Sequence, residues 1–137
     1  MDHLAQRSIG DLSGGEQQRV WLATCLAQQT GVLLLDEPTT FLDLRFQVEI
    51  LDLVRDLADD HQVGVGVVLH DLQQAADVAD EVVLLESGRV VAAGLPADVL
   101  TAERLSAVYG IRIDVGVGLD GSLTTRPTGR HSRTRVA

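Results

Sequence analysis

Lysine is absent from this chain of 137 residues, in which all eleven basic residues are arginine. Cysteine occurs once, at Cys25, so neither a disulfide framework nor a zinc site of several cysteines is available. Long apolar runs are also absent. None approaches the roughly 18 residues that a membrane span needs, and residues 1–10 lack the basic-then-apolar pattern of a signal peptide. We therefore expect a cytoplasmic protein.

Charge of one sign dominates most of the chain. Residues 1–120 contain seven arginines against twenty acidic residues, whereas residues 121–137 contain four arginines and no acid. An acidic surface repels phosphate, which argues against a nucleic-acid partner. The basic end of the chain has few apolar residues, so we expect residues 126–137 to form a disordered tail.

Helical and extended patterns alternate along the first half of the chain. Helices are predicted over residues 15–28 and 44–59 and strands over residues 32–35 and 63–69, followed by a short helix from Asp71. Such alternation predicts an α/β fold. Because both strands are apolar on both faces, we expect them in a parallel sheet that is covered on each side.

Two hairpin turns are predicted in the second half of the chain. The segment EVVLLESGRVVAAG is typical of a hairpin that turns at Ser87-Gly88, and Pro96 then suits the first turn of a helix. The hexapeptide GVGLDG, residues 116–121, fits the dinucleotide-binding pattern G-x-G-x-x-G, but it precedes SLTTRP rather than a helix. We interpret it as a hairpin that turns at Asp120-Gly121.

The stretch DLSGGEQQRV begins the first predicted helix with two glycines. Ser13 and Glu16 have the spacing of a capping box, which predicts the helix start. Gly14 and Gly15 do not improve such a cap, and each costs up to about 1 kcal/mol relative to alanine. We therefore expect another group to approach the backbone closely here. A helix N-terminus with free N–H groups suits a phosphate.

Two adjacent acids follow the first predicted strand in the stretch VLLLDEPTT. Ligands of open parallel sheets bind beyond the carboxyl ends of the strands. At that place Asp36 could orient a hydrated Mg²⁺ ion, and Glu37 could polarise a water molecule that attacks phosphorus. Alternatively, the two acids form a solvated turn that ends at Pro38.

A histidine ends the second predicted strand in the stretch VVLHDLQQ. His70 could donate a hydrogen bond to a terminal phosphate, or it could be an ordinary surface histidine. Asp71 and Gln74 after it repeat the spacing of a capping box. If the two strands are neighbours in a parallel sheet, Glu37 and His70 lie at the same edge, which permits a shared site.

Together, these motifs resemble the second half of an ATP-binding-cassette (ABC) transporter ATPase. Four segments match in family order: the signature motif at residues 12–17, the Walker B motif at residues 32–37, the D-loop at residues 42–43 and the switch histidine at His70. The resemblance extends to about Tyr109. The stretches RVWLA, LHDLQQAADVADEVVLLESGRVVAAG and PADVLTAERLSAVYG are most similar to importers of iron–siderophore, haem or cobalamin.

The resemblance implies a site for ATP and Mg²⁺ that two ATPase subunits share. The implied nucleotide-binding residues are Ser13, Gly14, Gly15, Gln17 and Asp43. The serine and the two glycines would clasp the γ-phosphate held on the P-loop of the partner subunit. Asp43 would couple the two sites across the dimer.

The resemblance also implies how the site works. Glu37 would be the general base, His70 would contact the γ-phosphate, and Asp36 would hold Mg²⁺ through water. ATP would close the ATPase dimer and hydrolysis would reopen it, which drives permease subunits in the membrane. The protein would then lie peripherally on the inner face of the cell membrane through the permease.

The chain departs from the family because it contains no P-loop sequence G-x-x-x-x-G-K-[ST]. We therefore interpret residues 1–110 as the C-terminal half of an ABC ATPase domain, residues 111–125 as a hairpin extension and residues 126–137 as the tail. Without a phosphate cradle, the polypeptide alone is predicted not to hydrolyse ATP. The missing half would also leave the apolar faces of the two strands partly uncovered.

Three functions remain open at this point. The first is a truncated ATPase subunit of an importer for iron–siderophore, haem or cobalamin. The second is a non-catalytic half-domain that offers its signature motif to the P-loop of a partner. The third is an ABC ATPase outside transport, in DNA repair or translation, which the acidic surface disfavours.

Overall fold

The computed structural model describes residues 5–129, and the chain divides into two compact units between His70 and Asp71. Each unit mixes helices with strands, which confirms the predicted α/β class. The division falls inside residues 1–110, the segment that the sequence predicts as one half-domain. No helix in residues 5–129 is long and apolar enough to cross a membrane.

The first unit contains two helices and a parallel sheet of two strands. A 3-10 turn at Ile9–Asp11 precedes α1 (Gly14–Ala27), β1 (Val32–Asp36), α2 (Leu44–Asp60) and β2 (Gly64–Val68). In the register of the sheet, Leu33 lies opposite Val65 and Asp36 lies opposite Val68. The predicted parallel pairing is confirmed, and both strands end at the same edge.

The core of the first unit lies on one face of the β1–β2 sheet. Leu22 of α1, Leu33 of β1, and Ile50 and Leu57 of α2 are buried together. Burying each of these side chains contributes about 1.5–3 kcal/mol. This packing fixes both helices against the sheet and thereby holds the strand ends in place.

The opposite face of the same sheet is exposed. Leu34 is 80% exposed, Val32 62% and Val68 51%. Gly64 and Gly66 lie opposite Val32 and Leu34 in the register and share this face. The prediction that both faces of the sheet are covered is therefore wrong for this chain, because no element of the described residues packs there. The prediction of partly uncovered strands is confirmed.

Residues 71–129, the described part of the second unit, form two antiparallel hairpins and three short helices. Its elements are α3 (Leu72–Val78), β3 (Val82–Glu86), β4 (Arg89–Gly94), α4 (Pro96–Val99), α5 (Ala102–Tyr109), β5 (Arg112–Val117) and β6 (Leu123–Thr128). Pro96 is in the first turn of α4, as predicted. The buried core residues are Leu84, Val99, Leu100, Leu105, Ile113 and Leu123.

Both predicted hairpin turns are confirmed. Ser87 and Gly88 have φ values of 50° and 75°, which are typical of a tight turn between antiparallel strands. In the second turn, the Asp120 carboxylate accepts hydrogen bonds from Ser122 Oγ at 2.6 Å and from Ser122 N at 3.0 Å. These two hydrogen bonds hold the pKa of Asp120 below its ordinary value. GVGLDG therefore belongs to a hairpin and does not begin a nucleotide-binding helix.

The predicted boundary of the tail is wrong. Strand β6 runs to Thr128, and Arg126 pairs with Asp114 of β5. Leu123 at the start of β6 is buried in the core, which anchors the strand and carries Arg126 into the hairpin. Residues 130–137 of the predicted tail lie outside the described residues.

Candidate functional site

The carboxyl edge of the β1–β2 sheet brings two predicted site residues together. Glu37 directly follows β1, and His70 comes two residues after the end of β2. His70 Nε2 lies 2.6 Å from Glu37 Oε1, which is hydrogen-bond distance. Because an ionised carboxylate only accepts hydrogen bonds, the His70 Nε2–H donates and Glu37 Oε1 accepts. The predicted meeting of these two side chains at one edge is confirmed.

The backbone fixes Glu37 in an uncommon conformation. Its φ is 51°, in the left-handed region that glutamate rarely adopts. The Glu37 N–H donates to the Val68 carbonyl at 3.0 Å, and the Thr40 N–H donates to the Glu37 carbonyl at 3.2 Å. Such strain costs about 1–3 kcal/mol and clusters at functional sites. The strain and the two hydrogen bonds favour a positioned carboxylate over a loosely solvated acidic turn.

The Glu37–His70 pair is more open on the side of the histidine. The side chain of His70 is 76% exposed, whereas that of Glu37 is 37% exposed. A ligand can therefore reach the imidazole without displacing protein atoms. The partly enclosed carboxylate is in a position to accept a proton from one bound water molecule.

Asp36 is the last residue of β1 and is exposed at the same edge. Residues 5–129 contain no group of three or more His, Cys, Asp or Glu side chains that could hold a metal ion. Mg²⁺ at phosphate sites does not require such a group. It keeps several waters and takes its other oxygens from one or two carboxylates and from the substrate phosphates. Asp36 therefore fits the role of a single carboxylate that holds Mg²⁺ through water.

The start of α1 contains the predicted capping box. Ser13 Oγ accepts a hydrogen bond from the Glu16 N–H at 3.2 Å, and Glu16 Oε2 accepts one from the Ser13 N–H at 2.9 Å. The Ser13 hydroxyl is exposed and can still donate its own hydrogen. With the N–H groups of the first turn and the helix dipole, this end of α1 favours an anion.

The predicted close approach to the α1 backbone is present, but the chain itself makes part of it. A Cβ atom at Gly15 would lie 2.8 Å from ring atoms of Phe46, and one at Gly14 would lie 3.3 Å from Leu42 Cδ2. Gly15 is buried and lets the start of α1 pack on the start of α2, a role that the sequence reasoning missed. Gly14 is the more exposed of the two glycines.

Two neighbouring glutamines anchor the start of α1. Gln17 Nε2 donates to the carbonyls of Ile9 and Leu12, each at 3.1 Å, so this nitrogen is engaged within the chain. Gln18 Nε2 donates to the Pro38 carbonyl at 3.0 Å and connects α1 to the loop after β1. Sequence reasoning missed this second glutamine. Glutamine is common on exposed helix surfaces, so its presence in a helix does not predict a contact with a distant part of the chain.

Asp43 occupies the N-cap position of α2, but its side chain makes no capping hydrogen bond. The Gln47 N–H donates to the Asp43 carbonyl at 3.0 Å instead. The exposed carboxylate therefore lies at a helix N-terminus without serving as its cap. Such a group is available for contact with another subunit.

Comparison with known proteins identifies the family. Residues 1–40, which hold the capping box of α1 and the two acids at the end of β1, match the family model described as ABC transporter. The chain is 44% identical over 110 residues to the ferric enterobactin transport ATP-binding protein FepC of Escherichia coli (strain K12). It is 50% identical over 121 residues to the hemin import ATP-binding protein HmuV of Bordetella pertussis. The chain belongs to the ABC transporter ATPase family.

The matched relatives of this ABC ATPase are longer than the chain. The two alignments cover 80% and 82% of this chain but only 41% and 46% of FepC and HmuV. The cobalamin import ATP-binding protein BtuD of Halobacterium salinarum is 47% identical over 124 residues, which cover 90% of this chain and 31% of that protein. The chain therefore spans less than half the length of these relatives.

Solved structures contain the same fold. A metal-chelate type ABC transporter in an inward-facing conformation superposes with a TM-score of 0.83 at 31% identity, over 93% of this chain and 52% of that chain. A dimeric ATP-binding cassette, MJ0796 in a post-hydrolysis state with ADP and Pi, gives a TM-score of 0.61 at 31% identity. That match covers 70% of this chain and 41% of the other. The described residues therefore adopt part of an ABC ATPase fold.

Proposed function

We propose that this ABC ATPase chain is the signature and Walker B portion of the ATP-binding subunit of an importer for iron–siderophore, haem or cobalamin. The 2.6 Å contact between Glu37 and His70 at the ends of adjacent parallel strands is the observation that carries the proposal. The names of the matched relatives, which include ferric enterobactin, hemin and cobalamin transport, support the class of cargo.

In this proposal Glu37 is the general base for ATP hydrolysis. A water molecule donates a proton to the Glu37 carboxylate while its oxygen attacks the γ-phosphorus, and ADP leaves. The left-handed backbone at Glu37 and the contact with His70 hold the carboxylate in one orientation, which general-base catalysis requires. Removal of a positioned base of this kind costs about 10²–10⁴ in rate.

His70 contacts the γ-phosphate in the same proposal. When both ring nitrogens carry a proton, the exposed imidazole can donate from Nδ1 to a phosphate oxygen while Nε2 donates to Glu37, a contact that keeps the ring at the edge of the sheet. Asp36 holds Mg²⁺ through water, and that ion, when bound, neutralises charge on the phosphates.

The start of α1 serves the ATP site of a second ATPase subunit. Ser13, Gly14 and Gly15 present a hydroxyl and the N–H groups of the first turn to the γ-phosphate, while Gln17 fixes the loop before them. The dimer proposal is supported by the dimeric structure reported for the MJ0796 cassette. Asp43, whose carboxylate does not cap α2, contacts the partner across this dimer.

The proposed partners beyond the dimer are membrane permease subunits. Import of iron–siderophore, haem or cobalamin requires a path through the membrane, and no described helix of this chain is long and apolar enough to cross one. We place the subunit on the inner face of the cell membrane through that contact. The acidic residues 1–120 give no basic surface for nucleic acid.

A segment exchange tests the proposal. This chain replaces the matching part of the Bordetella pertussis hemin import protein, to which it is 50% identical, and ATP hydrolysis and hemin uptake are measured in cells that lack the original protein. We expect both activities to be retained and His70→Ala to abolish uptake. A chimera that folds and reaches the membrane, yet neither hydrolyses ATP nor supports uptake, contradicts the proposal.

A further inference from the structure

The backbone of Glu37 has a conformation that its own sequence neighbours disfavour. Its φ of 51° is left-handed, whereas a residue before proline favours extended backbone. A strained residue of this kind persists only where the surrounding structure fixes it. The Val68 carbonyl and the Thr40 N–H each bind one backbone group of Glu37. Both contacts act on Glu37 itself, so the position of the following residue, Pro38, needs a contact of its own.

Gln18 of α1 makes that contact. Its Nε2 donates to the Pro38 carbonyl at 3.0 Å in a partly buried hydrogen bond. The ring of proline fixes φ and removes the N–H, so the carbonyl is the one backbone group of Pro38 that a hydrogen bond can hold. The bond to Gln18 therefore fixes the peptide group between Pro38 and Thr39, close to the strained backbone of Glu37.

The helix that carries Gln18 is itself held firmly in the first unit. One turn after Gln18, Leu22 is buried in the core. Three residues before it, Gly15 packs against the Phe46 ring. The next residue, Arg19, forms an ion pair with Glu49 of α2. A hydrogen bond from such a rigid element can hold a loop in one position.

The loop that Gln18 holds also surrounds the carboxylate of Glu37. Thr40 Oγ1 lies 3.5 Å from Glu37 Oε2, and His70 Nε2 lies 2.6 Å from Oε1. Thr40 is only two residues beyond Pro38, so a shift of the Pro38 peptide moves this hydroxyl relative to the carboxylate. A general base must lie within hydrogen-bond distance of its water, and a misplacement of about 1 Å can cost about a hundredfold in rate.

We propose that Gln18 is a positioning residue for Glu37 and acts through its hydrogen bond to the Pro38 carbonyl. This inference rests on the proposed function, in which Glu37 is the base, and adds a residue to it. Because Gln18 acts on the orientation of the base and not on the nucleotide, its loss should lower kcat and leave KM for ATP unchanged.

The first experiment measures ATP hydrolysis by the segment-exchange chimera. Gln18→Glu keeps the size of the side chain but loses the donor, and we expect kcat to fall about tenfold at constant KM. Gln18→Lys keeps a donor that can reach a carbonyl and should restore most of kcat. Gln28→Glu is the matched control at the other end of α1, where the glutamine is exposed, and should leave both constants unchanged.

A combined variant separates positioning from a general effect on the fold. If Gln18 acts through Glu37, then Gln18→Glu should cost no further activity in a chimera that already carries Glu37→Gln, because the base that it positions is gone. A purely structural role of Gln18 would lower hydrolysis by the same factor in both backgrounds. Circular dichroism checks that each variant is folded.

The second experiment tests the geometry in this chain alone, without catalysis. The Thr40 N–H donates to the Glu37 carbonyl at 3.2 Å, so hydrogen exchange of this amide, followed by NMR, reports how well the loop is held. We expect the Thr40 amide to exchange at least about threefold faster in Gln18→Glu than in Gln28→Glu.

Three outcomes overturn the inference: unchanged kcat in Gln18→Glu, equal losses with and without Glu37, and unchanged exchange at Thr40. If Glu37→Gln abolishes hydrolysis while Gln18→Glu is fully active, the proposed function stands and this inference fails. If the chimera is inactive, or if Glu37→Gln leaves it fully active, the proposed function fails. The exchange of the Thr40 amide then decides by itself whether Gln18 positions the loop.

Discussion

The imidazole of His70 lies 2.6 Å from the carboxylate of Glu37, although 33 positions separate the two residues in the sequence. The contact arises because β1 and β2 are parallel neighbours and their carboxyl ends meet at one edge. The roles proposed for Glu37 and His70 need this relationship, which depends on strand pairing within the first unit.

Catalysis by the isolated chain is predicted to be absent. In the presence of Mg²⁺, the chain should release phosphate from ATP no faster than a control without protein. The reason is that the chain lacks the P-loop that holds the β- and γ-phosphates. A sensitive phosphate assay with the purified chain checks this. Turnover that disappears in Glu37→Gln would show that the chain hydrolyses ATP by itself.

Substitution of the two glycines of α1 should have unequal effects on stability. Gly15→Ala places a Cβ atom 2.8 Å from the Phe46 ring, and overpacking of this kind costs about 1–3 kcal/mol. Gly14→Ala is the matched control, since its contact with Leu42 Cδ2 is 3.3 Å and alanine is the better helix former. Urea denaturation measures the free energy of unfolding of each variant. Equal stability of the two variants would mean that the α1–α2 contact is not tight.

The second unit should depend on one glutamine. Gln73 Nε2 donates to the Leu123 carbonyl at 2.9 Å, and Gln73 Oε1 accepts from the Thr125 N–H at 2.8 Å, so the side chain pairs with β6 as a strand would. Gln73→Leu should destabilise the hairpin by about 1–3 kcal/mol, because partly buried backbone groups lose their partners. Amide hydrogen exchange measures this effect, and we expect the Thr125 amide to exchange faster in the variant.

A matched variant sharpens the test of Gln73. Gln73→Glu keeps an acceptor for the Thr125 N–H but loses the donor to Leu123, so its Thr125 amide should exchange more slowly than that of Gln73→Leu. Unchanged exchange in both variants would mean that β6 is held by its core contacts alone.

The exposed face of the β1–β2 sheet, which holds Val32, Leu34 and Val68, should make the isolated chain bind dyes that report exposed apolar surface. Leu34 and Val32 are more than half exposed on one contiguous face, and such patches bind anilinonaphthalene sulfonate. Leu34→Asp should lower the fluorescence, whereas Leu119→Asp removes a single isolated leucine and should change it little. Absence of dye binding in the unmodified chain would contradict the exposure of this face.

Local patterns predicted much of this fold. Both hairpin turns, the capping box of α1 and the parallel pairing of β1 with β2 follow from turn residues, side-chain spacing and apolar strand composition. The meeting of Glu37 and His70 follows in turn from that pairing. These features depend on neighbours in the chain or on one strand contact, which is why the sequence suffices.

Other features depend on packing between distant elements and could not be predicted. The contact of Gly15 with Phe46 requires the crossing of α1 and α2, which no local pattern encodes. The pairing of Gln73 with β6 and the inclusion of Arg126 in that strand are likewise set by the core around Leu123. Apolar strands predicted a sheet covered on both faces, but strand composition does not reveal which elements are present to cover it.

The central claim is that Glu37 is the base of an ATP site, and one comparison tests it most directly. In the chimera described above, ATP hydrolysis is measured for Glu37→Gln and for Glu81→Gln, an exposed glutamate outside the site. We predict a loss of at least about a hundredfold for Glu37→Gln and full activity for Glu81→Gln. If hydrolysis by Glu37→Gln equals that of the unmodified chimera, Glu37 is not the base and the account is contradicted.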